Sequence, residues 1–196
     1  MTKQNIQKFL SEPKNRSKVY WSIFGVLLIF FFIINNQIDE SAPGPYPPDL
    51  SQKIYKEINL PEFNLETIDG TKISSNNLQG KILVIDFWAT WCTPCRKAIP
   101  DLIELKNEFG NKDFEILGIS IDEFTRNTKS EVKPFVESLN VNYTIAYGTV
   151  DLIKKFDNLT SIPTTFIVSK KGKIVKKFLG TVPLSLLKSE ILKLLK

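Results

Sequence analysis

The two cysteines of the chain, Cys92 and Cys95, stand where a predicted strand meets a predicted helix. The strand covers residues 81–87, KILVIDF, a nearly continuous apolar run that is typical of a strand buried on both faces of a sheet. A helical pattern follows at residues 94–109. Two thiols at this spacing can close a disulfide only where the chain turns tightly, as it does at the start of a helix. The junction therefore indicates a sheet with helices packed on it.

Five further segments have strand or helix patterns. Residues 63–74 place Asp69-Gly70 between two alternating runs, which is the usual signature of a hairpin. The others are a buried strand at 114–121, a helix with Val132, Phe135, Val136 and Leu139 on one face, a hairpin formed by 165–169 and 173–178, and a last helix opened by Pro183. This order predicts an α/β domain whose central mixed sheet is parallel in its first part and antiparallel at one edge.

The composition excludes several kinds of chemistry. The chain has 196 residues and no histidine, which excludes Ser/His/Asp and Cys/His catalysis, imidazole metal sites and histidine-ligated haem. Two cysteines cannot form a four-thiolate zinc site or a disulfide-rich scaffold. We therefore expect no metal and no cofactor. Lysines and acids are mixed over the body of the chain, so the net charge of +5 does not indicate a nucleic-acid partner.

An apolar segment near the N-terminus predicts a membrane anchor. Residues 19–34 carry no charge, and the stretch to residue 38 would form a helix of about 30 Å, one hydrocarbon thickness. The cations of residues 1–18 precede it, so the positive-inside rule places that end in the cytoplasm. The prediction is a single-pass protein of the cell (inner) membrane that contacts lipid through residues 19–38 and holds its folded domain on the extracytoplasmic or periplasmic side.

Two other interpretations of the apolar segment remain open. A cleaved secretory signal would need small residues before the cut, and Ala42 and Gly44 are each followed by proline. A buried core helix without a polar face would need a larger protein around it. The predicted segments are a basic cytoplasmic N-terminus at 1–18, a transmembrane helix at 19–38, a proline-rich linker at 39–54 and a folded domain at 55–196.

The position of the dithiol predicts redox chemistry. At a helix N-terminus, backbone N–H groups and the helix dipole favour the thiolate form of Cys92, which makes it the nucleophile. Cys95, one turn into the helix, would attack the resulting mixed disulfide and release the product. A disulfide with a purely structural role is the first alternative, but the loop that it would close is so short that it restricts the unfolded chain little. A metal site is the second, and it would need thiolates from a partner chain.

Two motifs resemble the thioredoxin family. Residues 87–95, FWATWCTPC, resemble its active-site motif, and residues 161–166, SIPTTF, resemble its cis-proline loop. The anchor, the leading hairpin and an extra helix around residues 130–139 make the chain similar to the TlpA/ResA group of membrane-tethered thioredoxins. The similarity covers about residues 55–196. It implies a thioredoxin-like fold with an N-terminal hairpin and an inserted helix, and thiol-disulfide oxidoreductase activity.

The resemblance also implies a substrate-binding surface beside the dithiol. It implies that the Ile162-Pro163 bond is cis and that the Ile162 backbone pairs with an extended substrate segment. From the sequence alone, an ordinary turn proline is the more common case, because only about 5–6% of X-Pro bonds are cis, and the resemblance reverses this expectation for Pro163. Trp91, Thr93 and Pro94 complete the predicted surface, although core packing is the alternative role of Trp91.

Asp86 lies in the middle of the apolar strand, so it is either on the solvent side of an edge strand or buried at a cost. It aligns with the buried acid of thioredoxin, which implies that it accepts the proton of Cys95. Burial without a partner would raise its pKa toward neutrality.

The chain departs from the family pattern at three positions. Many TlpA/ResA relatives have Asn where this chain has Asp86, ResA-like members often have Glu where it has Ala98, and Gly118 replaces the lysine of thioredoxin. These departures leave the exchange chemistry intact, but the family's substrate preference does not transfer.

The resulting functional prediction is a tethered reductase of disulfides in exported proteins, with apocytochrome c as one candidate substrate. A membrane electron donor of the thiol-disulfide type would keep it reduced, because the exterior is oxidising. The Thr93-Pro94 pair resembles the reducing members of the family more than the oxidising ones. A disulfide oxidase or isomerase of the same fold is the first alternative. A tethered binding module is the second, and a peroxidase is a weaker third.

Overall fold

The computed structural model describes residues 21, 24–30, 58–110, 113–156 and 159–196. The chain divides into two compact units, Met1–Pro45 and Tyr46–Lys196. In the first unit, residues 24–30 are helical and their large apolar side chains are exposed. The predicted segments 1–18 and 39–54, and most of 19–38, lie outside the described residues. Within the described part, we find no helix with the length and apolarity needed to cross a membrane.

The second unit is built on a six-stranded sheet with a separate hairpin. The strands are β1 (Ile58–Asn59), β2 (Asn64–Glu66), β3 (Lys72–Ser74), β4 (Ile82–Trp88), β5 (Phe114–Ser120), β6 (Thr144–Tyr147), β7 (Thr164–Val168) and β8 (Lys173–Leu179). The helices are α1 (Thr93–Phe109), α2 (Asp122–Thr125), α3 (Lys129–Ser138), α4 (Val150–Lys155) and α5 (Leu184–Leu195), with a 3-10 turn at Ser75–Leu78.

The strand order of the main sheet is β1-β8-β7-β4-β5-β6, and β2 pairs with β3 alone. Strands β4, β5 and β6 run parallel, whereas β7 is antiparallel to β4 and β8, and β8 is antiparallel to β1. The predicted mixed sheet is therefore confirmed. All seven residues of β4 are buried because the strand has a neighbour on each side and both faces covered, which explains its nearly continuous apolar sequence.

Alternate residues of β4 enter two separate core layers. Ile82 and Val84 pack on one face with residues of α1 and α5, and Leu83, Ile85 and Phe87 pack on the other face with α3, α4 and the hairpin. This alternation follows from the period of two along a strand. It places Asp86, four residues after Ile82, on the face covered by α1 and α5.

The hairpin and the extra helix are confirmed, with one correction. Gly70 has a positive φ of 76° between β2 and β3, as the predicted turn requires. In α3, Val132 and Val136 are buried as expected. Leu139 is 39% exposed, so its predicted packing is wrong: it is the C-cap residue, one position beyond the end of α3.

Candidate active site

The dithiol lies where the chain leaves β4 and enters α1. Cys92 is the N-cap residue of this helix, and Cys95 lies in its first turn. The two sulfurs form a disulfide, with the Cα atoms 5.3 Å apart. The Cys95 N–H donates to Cys92 Sγ at 3.2 Å. A backbone donor aimed at this sulfur at the positive end of a helix would stabilise negative charge there once the disulfide is opened.

The loop before β7 meets the dithiol loop at the same end of the sheet. The Ile162-Pro163 bond is cis, as the resemblance implies. Thr164, the next residue, pairs in register with Phe87. Because β4 and β7 are antiparallel, the residues before Thr164 and those after Phe87 leave the sheet together. Pro163 is buried and Ile162 is partly exposed, so an approaching chain could reach the Ile162 backbone.

The remaining predicted surface residues surround Cys92. Thr93 and Pro94 are exposed in the first turn of α1. Trp91 is partly buried and packs against the core, while the guanidinium carbon of Arg126 lies 4.3 Å from the centre of its ring. The side chain of Trp91 therefore combines core packing with an exposed part beside the nucleophile.

Asp86 is buried, with 4% of its surface exposed. It pairs in register with Thr165 of β7 and Gly118 of β5. Burial raises the pKa of Asp86 to about 7, and the hydrogen bond from Thr165 acts in the opposite direction. The predicted increase in pKa is confirmed. The expectation of a carboxyl without a partner is wrong, because the Thr165 hydroxyl donates to Asp86 Oδ1 at 2.8 Å.

A small cavity of about 10 Å³ lies between Asp86, the cis-proline loop and α1. Its lining includes Asp86, Thr165, Pro163 and Ala98. Ala98 lies three residues after Cys95, so these two residues share a face of α1. The carboxyl of Asp86 therefore lies on the side of α1 toward which Cys95 points.

Gly118 of β5 lies opposite Asp86 in the register of the sheet, and little space surrounds it. A Cβ atom on Gly118 would lie 2.5 Å from Ile145 Cδ1 and 3.2 Å from Tyr143 Cε2. The space that a longer side chain would need is therefore filled. Burial raises the pKa of Tyr143, and the negative charge of Asp86 raises it further.

A second buried carboxylate, Asp122, escaped the sequence analysis. It is completely buried at the start of α2 and accepts hydrogen bonds from the backbone N–H and hydroxyl of Thr90 and from the hydroxyls of Ser120 and Thr128. Thr90 lies two residues before Cys92, so Asp122 connects the dithiol loop to β5 and α3. An acid directly after an apolar strand was the available signal, but its partners are far away in sequence.

The chain is similar to several known proteins. The family model described as the AhpC/TSA family matches residues 58–177. Thiol-disulfide oxidoreductase ResA of Bacillus subtilis (strain 168) is 30% identical over 136 residues, which cover 69% of this chain and 74% of that protein. Thioredoxin-like protein YneN of the same organism is 34% identical over 124 residues, covering 62% and 70%.

Solved structures show the same fold. A thiol:disulfide interchange protein of the thioredoxin family from Chlorobium tepidum TLS has a TM-score of 0.64 and 28% identity, and the match covers 72% of this chain and 98% of that one. StoA from Bacillus subtilis has a TM-score of 0.58 and 25% identity, covering 66% and 96%. The predicted thioredoxin-like fold of the second unit is confirmed.

Proposed function

The chain belongs to the AhpC/TSA family and is a thiol-disulfide oxidoreductase with a thioredoxin-like fold, and from this premise we propose that Cys92 and Cys95 are its redox pair. In this proposal the enzyme reduces disulfides of exported proteins while tethered to a membrane. The observation that carries the proposal is the Cys92–Cys95 disulfide at the start of α1, with a backbone N–H donating to Cys92 Sγ.

Reduction takes two exchange steps. The Cys92 thiolate attacks one sulfur of the substrate disulfide, forms a mixed disulfide and displaces the other substrate sulfur as a thiolate. Cys95 then attacks Cys92 Sγ, which closes the enzyme disulfide and releases the second substrate sulfur. The substrate gains two electrons, and the enzyme dithiol loses them. Cys95 must lose its proton to attack, and we assign Asp86 as the acceptor, supported by its burial and its pKa of about 7.

The substrate surface is proposed to lie around Cys92, which is 5% exposed. The Ile162 backbone would pair with an extended substrate segment, while Trp91, Thr93 and Pro94 would contact its flanks. The exposure of Thr93 and Pro94 and the partial exposure of Ile162 support this arrangement. The resemblance to the TlpA/ResA group adds apocytochrome c as one candidate among the exported substrates.

Membrane tethering forms the second part of the proposal. The segments would be a cytoplasmic N-terminus at 1–18, an anchor at 19–38, a linker at 39–54 and the catalytic domain at 55–196, held on the extracytoplasmic side. The uncharged run at 19–34 and the cations before it support this topology, as do the exposed apolar side chains of the helical residues 24–30. A membrane electron donor of the thiol-disulfide type would return the enzyme to its dithiol form.

Trapping in the native membrane tests the redox assignment. Cys95→Ser should accumulate mixed disulfides with natural substrates, because the second exchange step is blocked. Cys92→Ser is the matched control, which should trap no protein and have no turnover. The captured proteins, identified by mass spectrometry, would name the substrates. Full biological activity of both variants would instead indicate a binding module.

The direction of electron flow has its own test. The reduction potential of the Cys92/Cys95 pair, measured in glutathione buffers, should lie well below that of the strongly oxidising members of the family. A value above about −150 mV would indicate a disulfide oxidase.

A further inference from the structure

Two arginines beside the dithiol are each stacked on an aromatic ring. The guanidinium carbon of Arg126 lies 4.3 Å from the centre of the Trp91 ring, and that of Arg96 lies 5.4 Å from the centre of the Phe135 ring. Both distances are within the range of cation–π contacts. Both arginines are exposed. The rings hold the planar guanidinium groups in place while leaving them accessible from solvent.

Both arginines are connected to the segment that carries the sulfur we propose as the nucleophile. Arg96 lies four residues after Cys92, so it is on the same side of α1, one turn further along. Its backbone N–H donates to the Cys92 carbonyl oxygen at 3.0 Å. Arg126 stacks on Trp91, the residue directly before Cys92. Arg96 therefore belongs to the helix that begins at the dithiol, and Arg126 contacts the residue directly before Cys92.

Neither arginine has an acidic partner in the part of the chain that the structure describes. The carboxylates closest in sequence to Arg126 are engaged elsewhere: Asp122 accepts hydrogen bonds from Thr90 and the neighbouring hydroxyls, and Glu123 pairs with Lys129 at 3.2 Å. Many lysines of the domain, in contrast, form ion pairs at its surface. The charges of Arg96 and Arg126 are thus available to an external anion.

We propose that this arginine surface, formed by Arg96, Arg126 and the rings of Trp91 and Phe135, binds protein segments with Asp or Glu next to the cystine that the enzyme reduces. The inference rests on the proposed function and adds a substrate class to it. A guanidinium group presents a planar fork of donors that matches a carboxylate, and a ring-stacked group loses little freedom on binding. Exposed charge pairs at a rim act mainly on the association rate and on selectivity.

A peptide series measures this selectivity. Three peptides carry the same intramolecular disulfide, flanked by two Asp, two Ser or two Lys residues. Single-turnover rate constants for their reduction are measured with the pre-reduced full-length protein at low ionic strength. We expect the rate constant to be highest for the acidic peptide and lowest for the basic one, with the acidic peptide reduced about three- to tenfold faster than the neutral one. Added salt should reduce this ratio, because exposed charges are screened within about 10 Å at 0.1 M.

Variants assign the selectivity to the two arginines. Arg96→Gln and Arg126→Gln should each lower the ratio of acidic to neutral rates by about two- to fivefold, and the double variant should bring it close to one. Lys97→Gln is the matched control, because it removes one exposed charge from the same helix but leaves both stacked guanidinium groups in place. The Lys97→Gln variant should have the same ratio of acidic to neutral rates as the parent protein. Normalising to the neutral peptide cancels any effect of a variant on the reactivity of Cys92.

Three outcomes would overturn the inference. Equal rates for all three peptides would reject the arginine surface and leave the proposed oxidoreductase function intact. Failure to reduce any of the peptides would reject the proposed function itself and the inference with it. If the double variant kept the ratio but lost binding to phosphatidylglycerol vesicles, the surface would be a membrane contact.

Discussion

Two buried aspartates, one in the middle of the sheet and one at the end of β5, differ in how many donors surround them. Asp86 accepts a hydrogen bond from the hydroxyl of Thr165. Asp122 accepts hydrogen bonds from a backbone N–H and three hydroxyls. Burial penalises the charged form of a carboxyl, and hydrogen-bond donors favour it. The two residues therefore differ in how fully their buried oxygens are hydrogen-bonded.

Asp86 is suited to proton transfer, whereas Asp122 is suited to a structural role. At Asp86 burial outweighs the single hydroxyl, and the pKa rises to about 7, so the group can gain or lose a proton under physiological conditions. At Asp122 the donors come from three segments of the chain, which its carboxylate holds together. We therefore expect substitutions at the two positions to change stability in opposite directions.

The largest expected effect is at Asp122. Asp122→Ala removes the acceptor shared by Thr90, Ser120 and Thr128 and leaves buried donors unpaired, so the free energy of unfolding should fall by about 3 to 5 kcal/mol. Urea unfolding measures this loss. Asp151→Ala is the matched control, because it removes only an exposed ion pair with Lys155, which contributes less than about 1 kcal/mol. Equal losses in the two variants would refute the structural role of Asp122.

Asp86→Asn should stabilise the protein at high pH. Below pH 3.8, Asp86 holds its proton in both the unfolded and the folded chain. As the pH rises toward 7, the unfolded chain releases the proton while the folded chain keeps it, so stability falls and then levels off above the folded pKa of about 7. The asparagine variant lacks this loss, and at pH 8 it should be more stable by up to about 4 kcal/mol.

Urea unfolding at pH 4 and pH 8 checks this sign. The two proteins should have similar stability at pH 4 and should differ most at pH 8. A variant that is less stable than the parent protein at pH 8 would show that Asp86 is not penalised by burial, and the contrast with Asp122 would disappear.

The same substitution should slow the second exchange step. If ionised Asp86 accepts the proton of Cys95, product release from the mixed disulfide accelerates as the pH rises through about 7. Asp86→Asn should lower the rate by about tenfold to a hundredfold and remove this rise. Decay of a preformed mixed disulfide between pH 5.5 and 8.5 measures the step, and alkylation of Cys92 over the same range is the control for the first sulfur. A rise with an unchanged midpoint near pH 7 in the variant would exclude Asp86 as the base.

The smallest expected effect comes from the single donor of Asp86. Thr165→Val removes the hydroxyl that lowers the pKa of Asp86, so the pKa should rise further. The free energy of unfolding should fall by about 1 kcal/mol at pH 5 and by about 2 kcal/mol at pH 9. Thr128→Val is the matched control: it removes a hydroxyl from Asp122 and should leave the pH slope of Asp86 unchanged. A Thr165→Val loss that does not vary with pH would contradict the prediction.

Elements with a full hydrophobic pattern and the hairpin marked by Asp69-Gly70 were predictable from the sequence, whereas the short strands β1 and β6 were not. The patterns of β4, β5, α1 and α5 extend over seven residues or more, which is enough for periodicity to emerge. Strand β1 has two residues, and β6 has four. Such short strands form because an adjacent strand completes their hydrogen bonds. A local sequence pattern does not show which strand will be adjacent.

The amino-acid sequence was enough to locate the dithiol, because Cys92 and Cys95 lie within one helical turn and the turn is local. It also determined the fold class, since apolar periodicity is a property of each segment. The partners of the charged groups around the site depend on how distant parts of the chain fold together. Thr165 is 79 residues from Asp86, and Thr90 is 32 residues from Asp122. The register of β4 and β7 creates the first contact, and the packing of the loops beyond β4 and β5 creates the second.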